Sequence, residues 1–155
     1  MATEVRLRTD LEARIQRLED MEAIKQLKYH QMAVLDKLDP KAISECYTED
    51  ALWEGGTERR DGRKVIEERM TNNFKRATWF FHALVNPEIE VDPDGMHAKG
   101  AWKLLEWMIS NGKRQWMLGR FEDKYRKVDG QWLVEYSHWS REFQAEVLNE
   151  VMGPA

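Results

Sequence analysis

The chain has 155 residues, 42% hydrophobic and 34% charged, which suits one globular domain that buries most of its apolar surface and leaves too little for two. Its 28 acidic and 24 basic residues give a net charge of −4, which excludes the broad cationic surface that nucleic acid requires. A single cysteine, Cys46, excludes an intrachain disulfide, and no run of residues approaches a membrane span.

In chain order, MATEVRLRTDLEARIQ lacks the apolar core of a signal peptide, so a soluble cytoplasmic protein is expected. Thr9 is positioned to cap a first helix, with Glu12 as its capping-box partner, and the helical pattern continues to about Leu38. Asp39-Pro40 stops it. A short helix from about Pro40 to Tyr47 precedes a short strand from Ala51 to Trp53, and Gly55-Gly56 then breaks the chain. Asp61-Gly62 opens another helix, from about Arg63 to Phe74.

Beyond Phe74 the composition turns to β-formers and turns. Strands are predicted from Ala77 to Val91, Ala98 to Ser110, Arg114 to Val128 and Gln131 to Ser140. Asp92-Pro93-Asp94-Gly95, Asn111-Gly112 and Asp129-Gly130 connect them, the last two as hairpin turns. A final helical stretch is expected from about Arg141 to Val151. Helices first and a β-meander afterwards predict an α+β fold, with the helices covering the concave face of a curved sheet. No repeat or Pro/Gly/Ser linker divides the chain, so residues 1–155 are read as one domain, with a core of about 11–143 and a helical tail of about 141–152.

Candidate chemistry comes from face assignments. On the first helix Ile24, Leu27, Val34, Leu35 and Leu38 form the main stripe, and Tyr29, Met32 and Asp36 form a second. At 100° per residue Tyr29 and Asp36 differ by roughly 20°. Asp36 is either a solvated helix-end residue or the carboxylate that orients a histidine. His82 is either a hydrogen-bonded structural residue or a general base whose tautomer such a carboxylate sets. Trp102, Leu104 and Glu106 share a strand face, so Glu106 is either an acid in an apolar cavity, kept protonated by desolvation, or an outward partner of a surface cation.

On the last strand Tyr136 and His138 either close the cavity or mark a strand's solvent end. Arg120 and Arg141 are either anion partners or members of surface ion pairs. The four histidines and one cysteine have no metal-ligand spacing, and there is no Gly-rich phosphate loop, so neither metal nor cofactor is expected.

The order Met21-Glu-Ala-Ile-Lys-Gln-Leu27, Asp36, Tyr47-Thr-Glu-Asp-Ala-Leu-Trp53, Asp61-Gly-Arg63, His82, Asn86-Pro-Glu-Ile-Glu-Val91 and Asp129-Gly-Gln-Trp132 resembles the SnoaL-like branch of the nuclear transport factor two-like superfamily. The resemblance covers roughly Leu11 to Phe143. It implies a cone-shaped barrel, a strongly bent mixed or antiparallel sheet wrapped around the long N-terminal helix with an apolar pocket inside. Enzymes of this superfamily include scytalone dehydratase, bile-acid dehydratase, lindane dehydrochlorinase and ketosteroid isomerase. The first three share a histidine–aspartate pair, and Asp36 and His82 match its positions.

Where those enzymes tend to carry a tyrosine or lysine that activates the leaving group, this sequence has Gln31, with Tyr29 nearby. An arginine of the dehydrochlorinase falls near Ser137 or His138, which argues against chloride elimination. What the resemblance implies is a cofactor-independent dehydratase acting on a small cyclic or aromatic hydroxylated compound. His82, Asp36, Glu106 and Tyr29 would be catalytic. Gln31, Met32, Trp53, Trp79, Phe81, Trp102, Leu104, Tyr136 and His138 would line the substrate pocket. An isomerase of a cyclic ketone and a non-catalytic small-molecule binder are the alternatives. A homodimer or homotrimer is expected, packed through outer-face aromatics such as Trp107 and Trp116.

Overall fold

The computed structural model describes residues 2–147. Helix α1 (Ala2–Asp36) begins a full turn and more before Thr9, where the capping box was expected. It ends where Leu38 turns into the left-handed region at φ 57° and the Leu38 and Asp39 amides bond back to Leu35 and Val34. Asp39 then caps α2 (Pro40–Glu45), its carboxylate accepting from the Ala42 amide at 3.0 Å, with Pro40 in the first helical position.

Strand β1 (Tyr47–Gly55) is longer than the expected strand and forms a tight hairpin with β2 (Glu58–Asp61) through Gly56, whose φ of 60° fits such a turn. The charged ERRD of β2 carries no apolar alternation, which hid it in the sequence. Helix α3 (Arg63–Phe74) follows, and then β3 (Ala77–Val91), β4 (His97–Ser110), β5 (Lys113–Val128) and β6 (Gln131–Glu146).

The six strands form one sheet in the order β2-β1-β6-β5-β4-β3, with β1 parallel to β6 and the other neighbours antiparallel. The sheet is therefore mixed and does not close: β2 and β3 are its edges. α1 packs on its concave face, its end reaching the β3 edge. The architecture is α+β, as expected.

The C-terminal helix expected from Arg141 is corrected to strand. β6 continues to Glu146 because β5 offers it a ladder, pairing Trp116 with Ala145 and Gln115 with Glu146, and this overrides local helix propensity. The rest of that expected helix lies outside the described residues. No helix among the described residues is long and apolar enough to cross a membrane.

Bulges decide which side chains face inward, and three of them bear on the cavity. In β3, Ala77 pairs with Ser110 and Trp79 with Ile109, so Thr78 is an extra residue. In β6, Val134 pairs with Tyr125 and Tyr136 with Lys124, so Glu135 is extra; Glu142 is extra likewise, between Arg141 opposite Gly119 and Phe143 opposite Leu118. Each extra residue inverts the alternation beyond it. The β4–β5 ladder has no such break, and Ala98, Trp102, Leu104 and Glu106 remain on one buried face throughout.

Candidate functional site

Between α1, α3 and the concave sheet lies a cavity of about 320 Å³. Its walls are mostly apolar, with Met32, Leu104, Met117 and Phe121 at depth and Phe74 and Phe80 from the side. Trp53 forms part of the wall and is pinned by Arg69, whose guanidinium stacks 3.6 Å from the indole centre while its Nε donates to Glu58 at 2.8 Å.

His82 enters the cavity from β3 because the Thr78 bulge sets Ala77, Phe80 and His82 facing inward. Its side chain is 4% exposed. Asp36, at the end of α1, meets it from behind: one carboxylate oxygen lies 2.7 Å from Nδ1 and accepts the His82 backbone N–H at 3.1 Å. That backbone donor belongs to an edge strand, so the same carboxylate that holds the ring also satisfies an edge amide that no strand pairs. Asp36 thereby places the Nδ1 proton, and Nε2 points the other way.

Glu106 stands directly opposite His82 in the β3–β4 register, its Oε2 3.4 Å from Nε2. It is 6% exposed and lines the cavity. Burial alone would pull the His82 pKa down, but hydrogen bonding and the charges of Asp36 and Glu106 outweigh it and hold the imidazole above its ordinary value. The result is an imidazole between two carboxyl groups at the margin of an apolar chamber.

Of the residues expected at the site, His82, Glu106, Gln31, Met32, Trp53 and Leu104 line this cavity, and Asp36 supports His82 from outside it. The others are corrected. Tyr29 is 43% exposed and packs edge-on against Trp102, because it lies roughly 60° around α1 from Met32, at the stripe's solvent margin. Trp79 and Phe81, each 47% exposed, alternate with Phe80 and His82 and therefore face outward. Trp102 faces inward but is packed solid below the cavity, donating to the Tyr125 hydroxyl at 2.9 Å.

Tyr136 and His138 are turned to the outer face by the Glu135 bulge, where Tyr136 donates to Glu54 at 2.8 Å and His138 lies 3.6 Å from Glu122. The same inversion brings Ser137 into the interior and Trp139 and Arg141 to the cavity.

Sequence reasoning missed a buried polar system under the site. Lys28 is fully buried, pairs with Asp123 at 2.8 Å and donates to the Gln31 amide oxygen at 2.8 Å. Asp123 also accepts from Tyr125, which accepts from Trp102. The signal was available: Ile24, Lys28, Gln31 and Leu35 recur at helical spacing on the face that meets the sheet. Because an ammonium can only donate, Lys28 fixes the Gln31 amide with its oxygen toward the ammonium, and the buried Nε2 has no hydrogen-bond partner among the described residues.

Residues 16–138 match the family model described as a SnoaL-like domain. No curated protein matches the chain. Among solved structures it is similar to hexachlorocyclohexane dehydrochlorinase type 3 from Novosphingobium barchaimii, at 18% identity and a TM-score of 0.80, over 91% of this chain and 99% of that one. It is similar to a candidate scytalone dehydratase from Novosphingobium aromaticivorans, at 18% identity and a TM-score of 0.79, over 90% and 97% of the two chains. A third likeness, at 21% identity and a TM-score of 0.70 over 86% and 89%, is to a nuclear transport factor two-like protein of that second organism. At these identities the likeness is one of fold.

Proposed function

The chain belongs to the SnoaL-like family, and from that premise we propose that it is a cofactor-independent lyase that removes water from a small cyclic or aromatic hydroxylated compound. The observation that carries the reading is His82 held at Nδ1 by Asp36 and facing Glu106 from Nε2 within an apolar cavity.

With Asp36 on the Nδ1–H, His82 and Glu106 share one proton. When it resides on Glu106, the Nε2 lone pair is available as a base and the carboxylic acid as a donor, so one arrangement loads both halves of an elimination. His82 takes the proton from the carbon next to the carbinol. The electron pair left behind forms the C=C bond, the C–O bond breaks, and Glu106 protonates the departing hydroxyl to water. His82 keeps one proton and Glu106 has lost one, and transfer from Nε2 to Oε2 restores the starting state. Both groups project from neighbouring strands at one register position, so hydrogen and hydroxyl leave from the same face of the substrate.

Incubation with hydroxylated phenolic and polycyclic compounds, read by mass spectrometry, tests the reading. The expected product has lost one water, and His82→Ala abolishes its formation while ligand affinity stays within a modest factor. Rearrangement without loss of mass would assign an isomerase using the same base. Binding without turnover would leave only a receptor.

A further inference from the structure

The cavity's charge is arranged along its depth. Glu106 is buried at the inner wall, whereas Arg76 and Arg141 line the mouth and are exposed. The mouth is built where three segments meet: the end of α3, the β4–β5 hairpin and the far end of β6. The Asn111 amide donates to the Arg76 carbonyl at 2.8 Å, joining the first two. Arg141 is brought over the opening by the inverted alternation beyond Glu135.

These two guanidinium groups differ from most of the paired arginines in this chain. Arg69, also in the cavity wall, is engaged by Glu58 and by the Trp53 ring, and Arg120 lies within reach of Glu142. Arg76 has no carboxylate partner among the described residues. Neither has Arg141, which is held by a neutral group: Nη1 donates to the Gln144 amide oxygen, and Gln144 in turn donates to Gln115 at 2.9 Å. An amide tether fixes a guanidinium without cancelling its charge. A protein of net charge −4 thus presents two uncompensated cations at the entrance of an apolar chamber whose one carboxylate lies at depth.

We infer that the compound taken up by this cavity is an anion: an apolar ring system that enters toward His82 and carries a carboxylate, or an equivalent oxyanion, which stays at the mouth between Arg76 and Arg141. The bidentate geometry of guanidinium on carboxylate suits that role, and the exposed rim spares the anion full desolvation. Arg76 and Arg141 are binding and orienting residues on this account. The inference rests on reading the cavity as a substrate site and adds the charge of the substrate to it.

Titration calorimetry with 1-naphthoate and its neutral counterpart 1-naphthamide separates this from a purely apolar pocket. The expected result is tighter binding of the naphthoate by about tenfold or more, weakening as ionic strength rises. In the Arg76→Gln, Arg141→Gln double variant the preference disappears, naphthoate affinity falling to that of naphthamide. Equal affinity for the two probes, a preference that survives in the double variant, or binding of neither overturns the inference. The readout is binding alone: naphthoate preference with no dehydration of any anionic substrate would sink the lyase and leave this inference standing. Dehydration of neutral compounds without naphthoate preference would do the reverse.

Discussion

One oxygen of Asp36 holds His82 twice, at the ring and at the backbone, across 46 positions of sequence. Asp36→Asn keeps an acceptor for the backbone amide but removes the charge that favours the Nδ1–H tautomer. Turnover is expected to fall by about a hundredfold to ten-thousandfold, with the circular dichroism spectrum unchanged. A variant with near wild-type kcat would remove the pair from the mechanism.

The raised His82 pKa gives a second prediction. A histidine whose pKa is higher folded than unfolded adds stability that is fully present below the unfolded value of about 6.5 and is lost as pH rises through the folded value. The melting temperature should therefore decline from mildly acidic to mildly alkaline pH, and less so in Glu106→Gln, which removes one of the two groups holding His82 up. His97, raised by its exposed partner Asp94, titrates separately, so NMR of the imidazole resonances assigns the two. An unshifted His82 resonance in Glu106→Gln would contradict the coupling.

The meeting of Asp36 and His82 was legible in the order of motifs that carries the SnoaL-like resemblance, and the inward face of Glu106 in the unbroken alternation of β4, whereas the Thr78 bulge that turns His82 inward left no mark in the sequence. The residues that went astray lie beyond irregularities that composition does not reveal. Glu135 is one extra residue in β6, and it exchanged Tyr136 and His138 for Ser137, Trp139 and Arg141 at the interior. Trp79 and Phe81 were expected inside on hydrophobicity, though their parity with His82 already argued outward. Lys28 was hidden by its charge: a fully buried ammonium is rare enough that spacing alone did not suggest it.

That buried ammonium makes a stability prediction. Lys28→Met leaves Asp123 without its cation in the interior and should cost about 3–5 kcal/mol. Lys28→Met with Asp123→Leu removes both charges and should recover part of the loss, with Tyr125 losing an acceptor. Denaturant melts of the wild type, Lys28→Met, Asp123→Leu and the double variant decide it. If the double variant is less stable by the full sum of the single losses, the two residues do not act as a pair.

Gly55 carries the cavity wall in a different way. A Cβ at this position would sit 2.4 Å from the Trp53 ring and 3.2 Å from Trp139, two side chains that line the chamber. Gly55→Ala must therefore displace Trp53 from under Arg69, at a cost of about 1–3 kcal/mol. Ligand affinity should fall together with melting temperature. A melting temperature equal to wild type would show that Trp53 moves freely, and that Arg69 does not fix it.

The outer face supplies the last prediction, which concerns assembly. Phe81 packs against Trp107 at 5.9 Å, Trp107 stands opposite Trp116 in register, and Trp116 packs against Phe143 at 5.1 Å, so an aromatic row crosses β3 to β6 on the side away from the cavity. Phe81 and Phe143 are each 47% exposed in the single chain, and Trp79 beside them is equally so. Covering such a row with a second copy of the same face buries apolar area on both partners without moving the cavity lining. Sedimentation velocity should show a dimer or trimer for the wild type and a shift toward monomer for Phe81→Glu with Phe143→Glu, in which both substituted residues are already exposed and need no repacking of the core. A wild-type protein that sediments as a monomer across the accessible concentration range would leave the row without a self-partner.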